Sequence, residues 1–230
     1  MASPLSSGLG LVLDLSFAGL VAVVDKADQV LATRWRPPLT KYDDIVSWTQ
    51  GCLLEAGGTF KDLQWICVGI GPGSFTGIRI AMAFAQGLAL PESIPMLGFL
   101  SFTPLFLGAA KGARKTASEI QTMAAIPATA GRFYVAQHAE DSGALLETEQ
   151  LLALGKANVD LIISHPSPAF DPFANAFHQT VSLYENWDIP SLLRKSRANG
   201  LGVDKPHYLA LSAAEIKFPE PRMIAPAPLI

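Results

Sequence analysis

The segment 65–100 constrains the fold more than any other part of the sequence. Residues 65–70 (WICVGI) are a continuous apolar run, typical of a fully buried strand. A glycine turn at 71–73 (GPG) follows, and a helix is predicted over 74–90. Residues 95–100 (PMLGFL) form the next strand. A strand, a helix and a strand in direct succession indicate an α/β fold.

Three strands and a helix are predicted before this segment. The strands are expected at 9–15, 19–24 and 29–36, with turn residues between the last two. A helix is expected over 41–56, where Thr40 and, three residues later, Asp43 form a capping box. The predicted order of the first half is therefore β-β-β-α-β-α-β.

The remainder of the chain repeats this order more faintly. The predicted strands are 122–128, 132–138, 144–149 and 159–164, and the predicted helices are 104–118, 151–158, a helical stretch within 175–187, and 191–199. Two tandem units of this kind predict a duplicated α/β architecture with two βββαβα subdomains, 1–103 and 104–230. The last residues are expected to pack back on the first subdomain.

Composition excludes several function classes. The chain has 230 residues, of which 50% are hydrophobic and 16% charged, with a formal net charge of -3. This mild acidity argues against a free-standing nucleic-acid-binding protein, which needs clustered Lys and Arg. No run of about 18 apolar residues predicts a membrane span, and the N-terminus does not resemble a signal peptide. Cys52 and Cys67 fit neither a disulfide scaffold nor a zinc site, so a cytoplasmic protein with buried thiols is expected.

Three stretches carry a resemblance to a known family. They are GPGSFTGIRIAMAFAQGLAL at 71–90 with IPMLGF at 94–99, AAIPATAGRFYVA at 124–136, and PHYL at 206–209. The chain resembles the TsaB family, bacterial partner proteins in making the threonylcarbamoyladenosine (t6A) modification of tRNA. The resemblance implies the duplicated fold of the actin-like ATPase superfamily, which is ribonuclease H-like. It also implies a degenerate relative of TsaD, the subunit that transfers the threonylcarbamoyl group.

The sequence departs from the active relatives at their catalytic positions. TsaD-type enzymes bind a metal through two histidines four residues apart, and the corresponding region 101–118 contains no histidine. Active superfamily members also carry an aspartate at the end of the first strand of each half. Asp14 occupies the first such place, but Pro127 stands at the second. We therefore expect no catalytic residue and no metal site, and interpret Asp14 as a structural turn residue, with a functional role as the alternative.

The glycine turn gives a weak indication of a nucleotide or phosphate loop. Gly71, Gly73 and Ser74, together with Asp14, place backbone amides at a helix N-terminus, where an anion can bind. The alternative is a tight turn that lets the helix pack close to the sheet. No cofactor is expected on this chain alone, and ATP or ADP is expected only at the junction with a partner subunit.

The helix 74–90 is apolar on nearly every side. One stripe has the spacing of a buried face, and a second stripe, Ile80, Phe84 and Leu88, lies on another side. Gly77, Ala81, Ala85 and Ala89 also form a smooth track for close helix packing. Either the second half covers this helix or a partner does. The resemblance, in which this helix and the preceding one form the subunit contact, favours a partner. The expected partner-binding residues are Ile45, Trp48, Phe75, Ile78, Met82, Ala85 and Ala89.

The resemblance implies a non-catalytic assembly subunit for t6A modification at position 37 of tRNA. Such a subunit would form a heterodimer with a TsaD-like subunit, help recruit a TsaE-like ATPase, and form a homodimer when alone. Contact with tRNA would be indirect, because the basic clusters Lys111/Arg114/Lys115 and Arg194/Lys195/Arg197 are short and typical of solvated helix faces. The alternative is an independent small-molecule kinase or ATPase of the same superfamily, which would need an acidic partner for Asp14. A metalloprotease is not expected, because the sequence has no cluster of metal-ligating residues.

Overall fold

The computed structural model describes residues 8–17, 19–35, 44–112, 121–155, 159–183 and 185–208. The first half contains the strands β1 (Leu9–Asp14), β2 (Leu20–Val24), β3 (Val30–Trp35), β4 (Leu63–Gly71) and β5 (Met96–Leu100), and the helices α1 (Ile45–Glu55), α2 (Phe75–Ala89) and α3 (Phe102–Gly112). The second half contains the strands β6 (Gln121–Pro127), β7 (Arg132–Ala136), β8 (Ala144–Glu147), β9 (Val159–Ile163) and β10 (Gln179–Ser182), and the helices α4 (Thr148–Leu154) and α5 (Ile189–Asn199).

The two halves have the same sheet topology. The first sheet has the order β3-β2-β1-β4-β5, and the second, β8-β7-β6-β9-β10, repeats it strand for strand. In each sheet the first three strands are antiparallel neighbours and the last two join as parallel neighbours. The predicted duplicated actin-like fold is confirmed. The first half has the five strands that were predicted one by one, the second has five where four were predicted, and the predicted boundary after residue 103 falls within α3.

The strand register shows which residues of the two halves correspond. Asp14, the last residue of β1, pairs with Leu20 on β2. Pro127, the last residue of β6, pairs with Phe133 on β7 in the same way. Since both pairs close an antiparallel hairpin from the central strand, Asp14 and Pro127 occupy equivalent positions.

The first sheet lies between two apolar layers. Side chains alternate across a strand, so Leu11 and Leu13 face the layer formed with α1 and α2. Val12 faces the opposite layer, a core that the two halves share and that contains Phe102 of α3 and Leu192 of α5. The halves are therefore joined by packed apolar side chains.

One predicted element is corrected by the structure. The stretch 175–187 was expected to be helical, but it contains β10, which pairs in parallel with β9. The β-branched residues Thr180 and Val181 favour a strand there. Where the first half has α2, the second has a short 3-10 helix, Pro168–Phe173, because Pro172 cannot continue an α-helix.

Some predicted element ends lie outside the described residues. The capping pair Thr40 and Asp43 is among them, and α1 begins at Ile45 after Asp44, whose side chain makes no cap hydrogen bond. The predicted helix 104–118 is observed only as far as Gly112. Within the described part of the chain, no helix combines the length and apolarity needed to cross a bilayer.

Candidate partner-binding site

Asp14 lies in a closed polar cluster at the end of β1. Its side chain is completely buried and accepts a hydrogen bond of 2.6 Å from the Ser16 hydroxyl. The Ser101 hydroxyl donates in turn to Ser16 at 2.8 Å. On the neighbouring strand Gly69 leaves room for the carboxylate, because an added Cβ there would lie 2.2 Å from Asp14 Oδ1. A buried, hydrogen-bonded carboxylate of this kind fits the structural interpretation of Asp14.

The glycine loop, residues 71–74, packs against the turn at Ser16 that follows β1. The Ser74 amide donates to the Ser16 carbonyl at 2.5 Å. An added Cβ at Gly73 would lie 2.4 Å from that carbonyl oxygen, and one at Gly71 would lie 2.5 Å from the carbonyl oxygen of His207. The Ser74 hydroxyl caps α2 by accepting the Gly77 amide at 3.2 Å. The glycines therefore permit close backbone packing.

This geometry gives no support to a phosphate site at the loop. An anion needs free amides, but the Ser74 amide is already used by a carbonyl group. A second carbonyl oxygen, that of His207, also lies against the loop. Carbonyl oxygens carry partial negative charge and would repel a phosphate at this place.

The predicted partner-binding residues mostly belong to the core. Five of them pack in the layer between the first sheet and its two helices and have at most 8% of their surface exposed. These five are Ile45, Ile78, Met82, Ala85 and Ala89. Trp48 and Phe75 are half-buried. The sheet itself covers the stripe that was predicted to contact a partner, and the track Gly77–Ala89 lies on that same buried side. The five buried residues therefore have little surface left for a partner, whereas Trp48 and Phe75 keep some.

An outer helical face remains accessible on α1 and α2. Leu90, the C-cap residue that follows α2, is 81% exposed, and Ala83 and Gly87 on the helix are exposed as well. On α1, Leu54 is 63% and Val46 is 53% exposed. The outer helical face consists of Val46, Leu54, Ile80, Ala83, Phe84, Gly87, Leu88 and Leu90.

This face is unusually apolar for a surface. Residues 80–90 contain no charged side chain, and large exposed apolar patches generally mark interaction sites. The sequence did contain a signal for it: the second stripe, Ile80, Phe84 and Leu88, packs at the margin of the core and stays half-buried.

The basic cluster on α5 is engaged within the chain. The Arg197 guanidinium donates to both carboxylate oxygens of Asp28, at 2.5 and 2.7 Å, and lies 5.0 Å from the Trp65 ring centroid. Lys195 pairs with Glu140, and its hydrogen bond lowers the pKa of that carboxyl group. These contacts join α5 to other elements and leave little free positive charge for a nucleic acid. The side chains of the other cluster, 111–115, lie outside the described residues.

Histidine, cysteine and acidic side chains do not gather in the described part of the chain. No three of them there are placed to hold a metal ion. His178 pairs with Asp160 at 2.8 Å, and His165 hydrogen-bonds the neighbouring Ser164 at 3.0 Å.

Comparison with known sequences identifies relatives of this chain. The model of the TsaD family, tRNA N6-adenosine threonylcarbamoyltransferase, matches residues 42–148. The tRNA threonylcarbamoyladenosine biosynthesis protein TsaB of Escherichia coli strain K12 is 33% identical over 115 residues, which make up 50% of this chain and 48% of that protein. TsaB of Buchnera aphidicola subsp. Schizaphis graminum is 35% identical over 114 residues, 50% of this chain and 52% of that protein. The chain thus spans about half the length of the curated relatives that it matches.

Two solved structures from Pseudomonas aeruginosa share the fold. One, a protein with similarity to peptidase YeaZ, superposes with a TM-score of 0.64 at 24% identity, over 90% of this chain and 100% of that one. The other, YeaZ, gives a TM-score of 0.61 at 19% identity, over 89% of this chain and 100% of that one. The similarity extends through both sheets.

Proposed function

We propose that the chain is a member of the TsaB family and acts as an assembly subunit needed for t6A modification of tRNA at position 37. The E. coli and Buchnera relatives are t6A biosynthesis proteins by name. The family model that matches residues 42–148 describes the threonylcarbamoyltransferase itself. These residues include α1 and α2, so the matched region includes the outer helical face.

We propose that a TsaD-like subunit binds on the outer helical face and forms a heterodimer. The observation that carries this proposal is the exposure of Ala83, Gly87 and Leu90 on a helix with no charge after Arg79. Small residues at 83 and 87 let a second helix approach closely. An added Cβ at Gly87 meets nothing within 4 Å, so a partner helix would find open space there.

Two substitutions test this face without disturbing the core. Gly87→Glu fills open space with a charged side chain, and Leu90→Glu places a charge on the highly exposed apolar residue that ends α2. We expect each to weaken binding to the TsaD-like subunit by about 100-fold or more, because burying an unpaired charge in an interface costs several kcal/mol. Isothermal titration calorimetry measures this.

The matched control is Leu154→Glu on α4, which changes a 38% exposed leucine in the other half. It should bind like the unaltered chain. If Gly87→Glu and Leu90→Glu also bind normally while remaining folded, the partner does not use this face.

We propose further that the chain is a pseudo-enzyme. Asp14 is buried and hydrogen-bonded, and its equivalent in the second half is Pro127, which carries neither charge nor donor. Phosphoryl transfer relies on carboxylates that hold metal and phosphate, and one of the two positions has none. The isolated chain should show no ATP turnover above background. Turnover that disappears in Asp14→Asn would indicate an independent kinase or ATPase instead.

The proposed assembly also gives a place to the nucleotide, the tRNA and the ATPase. Any bound ATP or ADP is assigned to the junction between subunits, because the loop 71–74 is packed against carbonyl groups. Contact with tRNA is assigned mainly to the partner, since Lys195 and Arg197 are engaged in ion pairs. A TsaE-like ATPase joins the heterodimer in the cytoplasm. In the absence of the partner, a second copy of the chain covers the outer helical face.

A further inference from the structure

Residues 201–208, here called the C-terminal strap, leave the second half and run across the first. The Gly98 amide on β5 donates to the Leu201 carbonyl at 2.8 Å. Because β5 is the last strand of its sheet, the strap covers an otherwise open edge. Further along, Gln86 on α2 donates from its side chain to the Val203 carbonyl at 3.1 Å.

The end of the strap is held by Arg79 near the N-terminus of α2. Arg79 Nε donates to the Tyr208 hydroxyl at 2.9 Å. The same guanidinium lies 3.7 Å from the centroid of the Phe75 ring, and the Tyr208 ring lies 4.9 Å from that ring. Such cation–π and ring contacts each add about 0.5–1.5 kcal/mol beyond area burial. Tyr208 is therefore fixed on α2 by both its ring and its hydroxyl group.

The residue before Tyr208 reaches the other half of the molecule. The His207 amide donates to the Ile70 carbonyl at 2.7 Å, which fixes its backbone on β4. Its ring Nε2 lies 2.8 Å from the carbonyl oxygen of Ser142, in the loop between β7 and β8. Two consecutive residues thus connect α2 and β4 with a loop of the second sheet.

We propose that the strap is an interdomain latch and that Arg79 is its positioning residue. Arg79 fixes Tyr208, and because His207 is the adjacent residue, its ring is held on Ser142. Loss of the Arg79 contact would release Tyr208, let the His207 ring leave Ser142, and loosen the part of the loop 137–144 around Ser142, while Glu140 stays paired with Lys195. Arg79 itself does not need to contact that loop. The latch holds the β7–β8 loop of the second half to α2 of the first, in addition to their shared core.

Hydrogen exchange of the full chain, measured by mass spectrometry, tests the latch. In Arg79→Ala we expect exchange to rise about five-fold or more both in 201–208 and in 137–144, because one net hydrogen bond contributes about 1 kcal/mol. Arg194→Ala is the matched control. Arg194 is also an exposed arginine on a helix, but the bond of its side chain within the described residues is local, to Ser191 at 2.7 Å. It should leave both segments unchanged.

Tyr208→Phe is the milder variant, and it decides the question if Arg79→Ala does not fold. It keeps the ring contact with Phe75 and removes only the hydroxyl that accepts from Arg79. A smaller rise in the same two segments supports the latch. If exchange rises only in the strap and in α2, with 137–144 unchanged, the strap is a local anchor and the proposal fails. It fails equally if no segment changes. No partner subunit is needed, so failure here leaves the proposed partner binding untouched.

Discussion

At the scale of single residues, the two strand ends show how one side chain alters the chemistry of a site. Asp14 and Pro127 sit at equivalent positions of the two hairpins. Asp14 needs donors once it is buried, and Ser16 supplies one of them. Pro127 has no polar side chain that would need a hydrogen-bond partner. The sequence showed which residues stand at these places, but only the register showed that the places correspond.

The two thiols give a prediction at the same scale. Burial raises the pKa of the Cys52 thiol to about 11 and that of Cys67 to about 12, against about 8.5 in an unfolded chain. Both thiols are therefore protonated in the folded protein near neutral pH. Their contribution to stability is complete below about pH 8.5 and is lost as the pH rises through 11 to 12, because the unfolded chain releases its protons first.

Two measurements check this prediction. Ellman's reagent should modify neither thiol of the folded protein at mildly alkaline pH, and both after unfolding in guanidinium chloride. Urea unfolding should show the free energy of unfolding falling as the pH rises above about 8.5. Rapid modification of either cysteine in the folded chain would contradict the burial of that thiol.

At the scale of elements, α2 shows what periodicity can and cannot decide. Its sequence contains two apolar stripes, and each has the spacing of a buried face. Spacing fixes the angle between the stripes, but it does not fix the rotation of the helix against the sheet. The sheet buries Ile78 and Met82, which leaves Ala83 and Gly87 outside. The strand β10 was predicted as a helix for a different reason. A strand of four residues at an exposed sheet edge is too short to show a clear alternation of apolar and polar side chains.

Adjacent residues on α2 provide a direct test of this rotation. Met82 is 5% exposed and packs on the sheet, whereas Ala83 is exposed. Met82→Glu should lower the free energy of unfolding by about 3–5 kcal/mol, because it buries an unpaired carboxylate. Ala83→Glu should change it by less than about 0.5 kcal/mol. Urea denaturation of the two variants measures the difference, and equal effects would show that the helix is rotated otherwise.

At the scale of the whole molecule, a surface ion pair supplements the shared core. Arg197 of α5 binds Asp28, in the turn between β2 and β3, with two hydrogen bonds. This pairing raises the pKa of the guanidinium above its usual value. The Trp65 ring adds a cation–π contact from β4. Arg197 of the second half thus contacts both a turn and a strand of the first half.

A double-mutant cycle can measure this connection. Arg197→Gln removes the charge, and Asp28→Asn does the same while tolerating the left-handed backbone of residue 28, whose φ is +62°. We expect a coupling free energy of about 0.5–1 kcal/mol, since Arg197 is partly exposed, and a smaller value at high salt. Unfolding in urea at two salt concentrations gives both numbers. A coupling near zero would mean that packing of Arg197 on Trp65, and not the ion pair with Asp28, joins the halves here.

By itself, the sequence determined the α/β class, the duplication and most of the elements, and it showed the resemblance to the TsaB family, because motifs and apolar periodicity are local properties of the chain. It also located the excess of apolar side chains on α2. Only the tertiary structure decided which stripe of α2 meets the sheet, that β10 completes the second sheet, and that the strap ends on Arg79. That last contact joins residues 129 positions apart. Partners so distant in the chain meet only when the fold brings them together, and no local spacing encodes them.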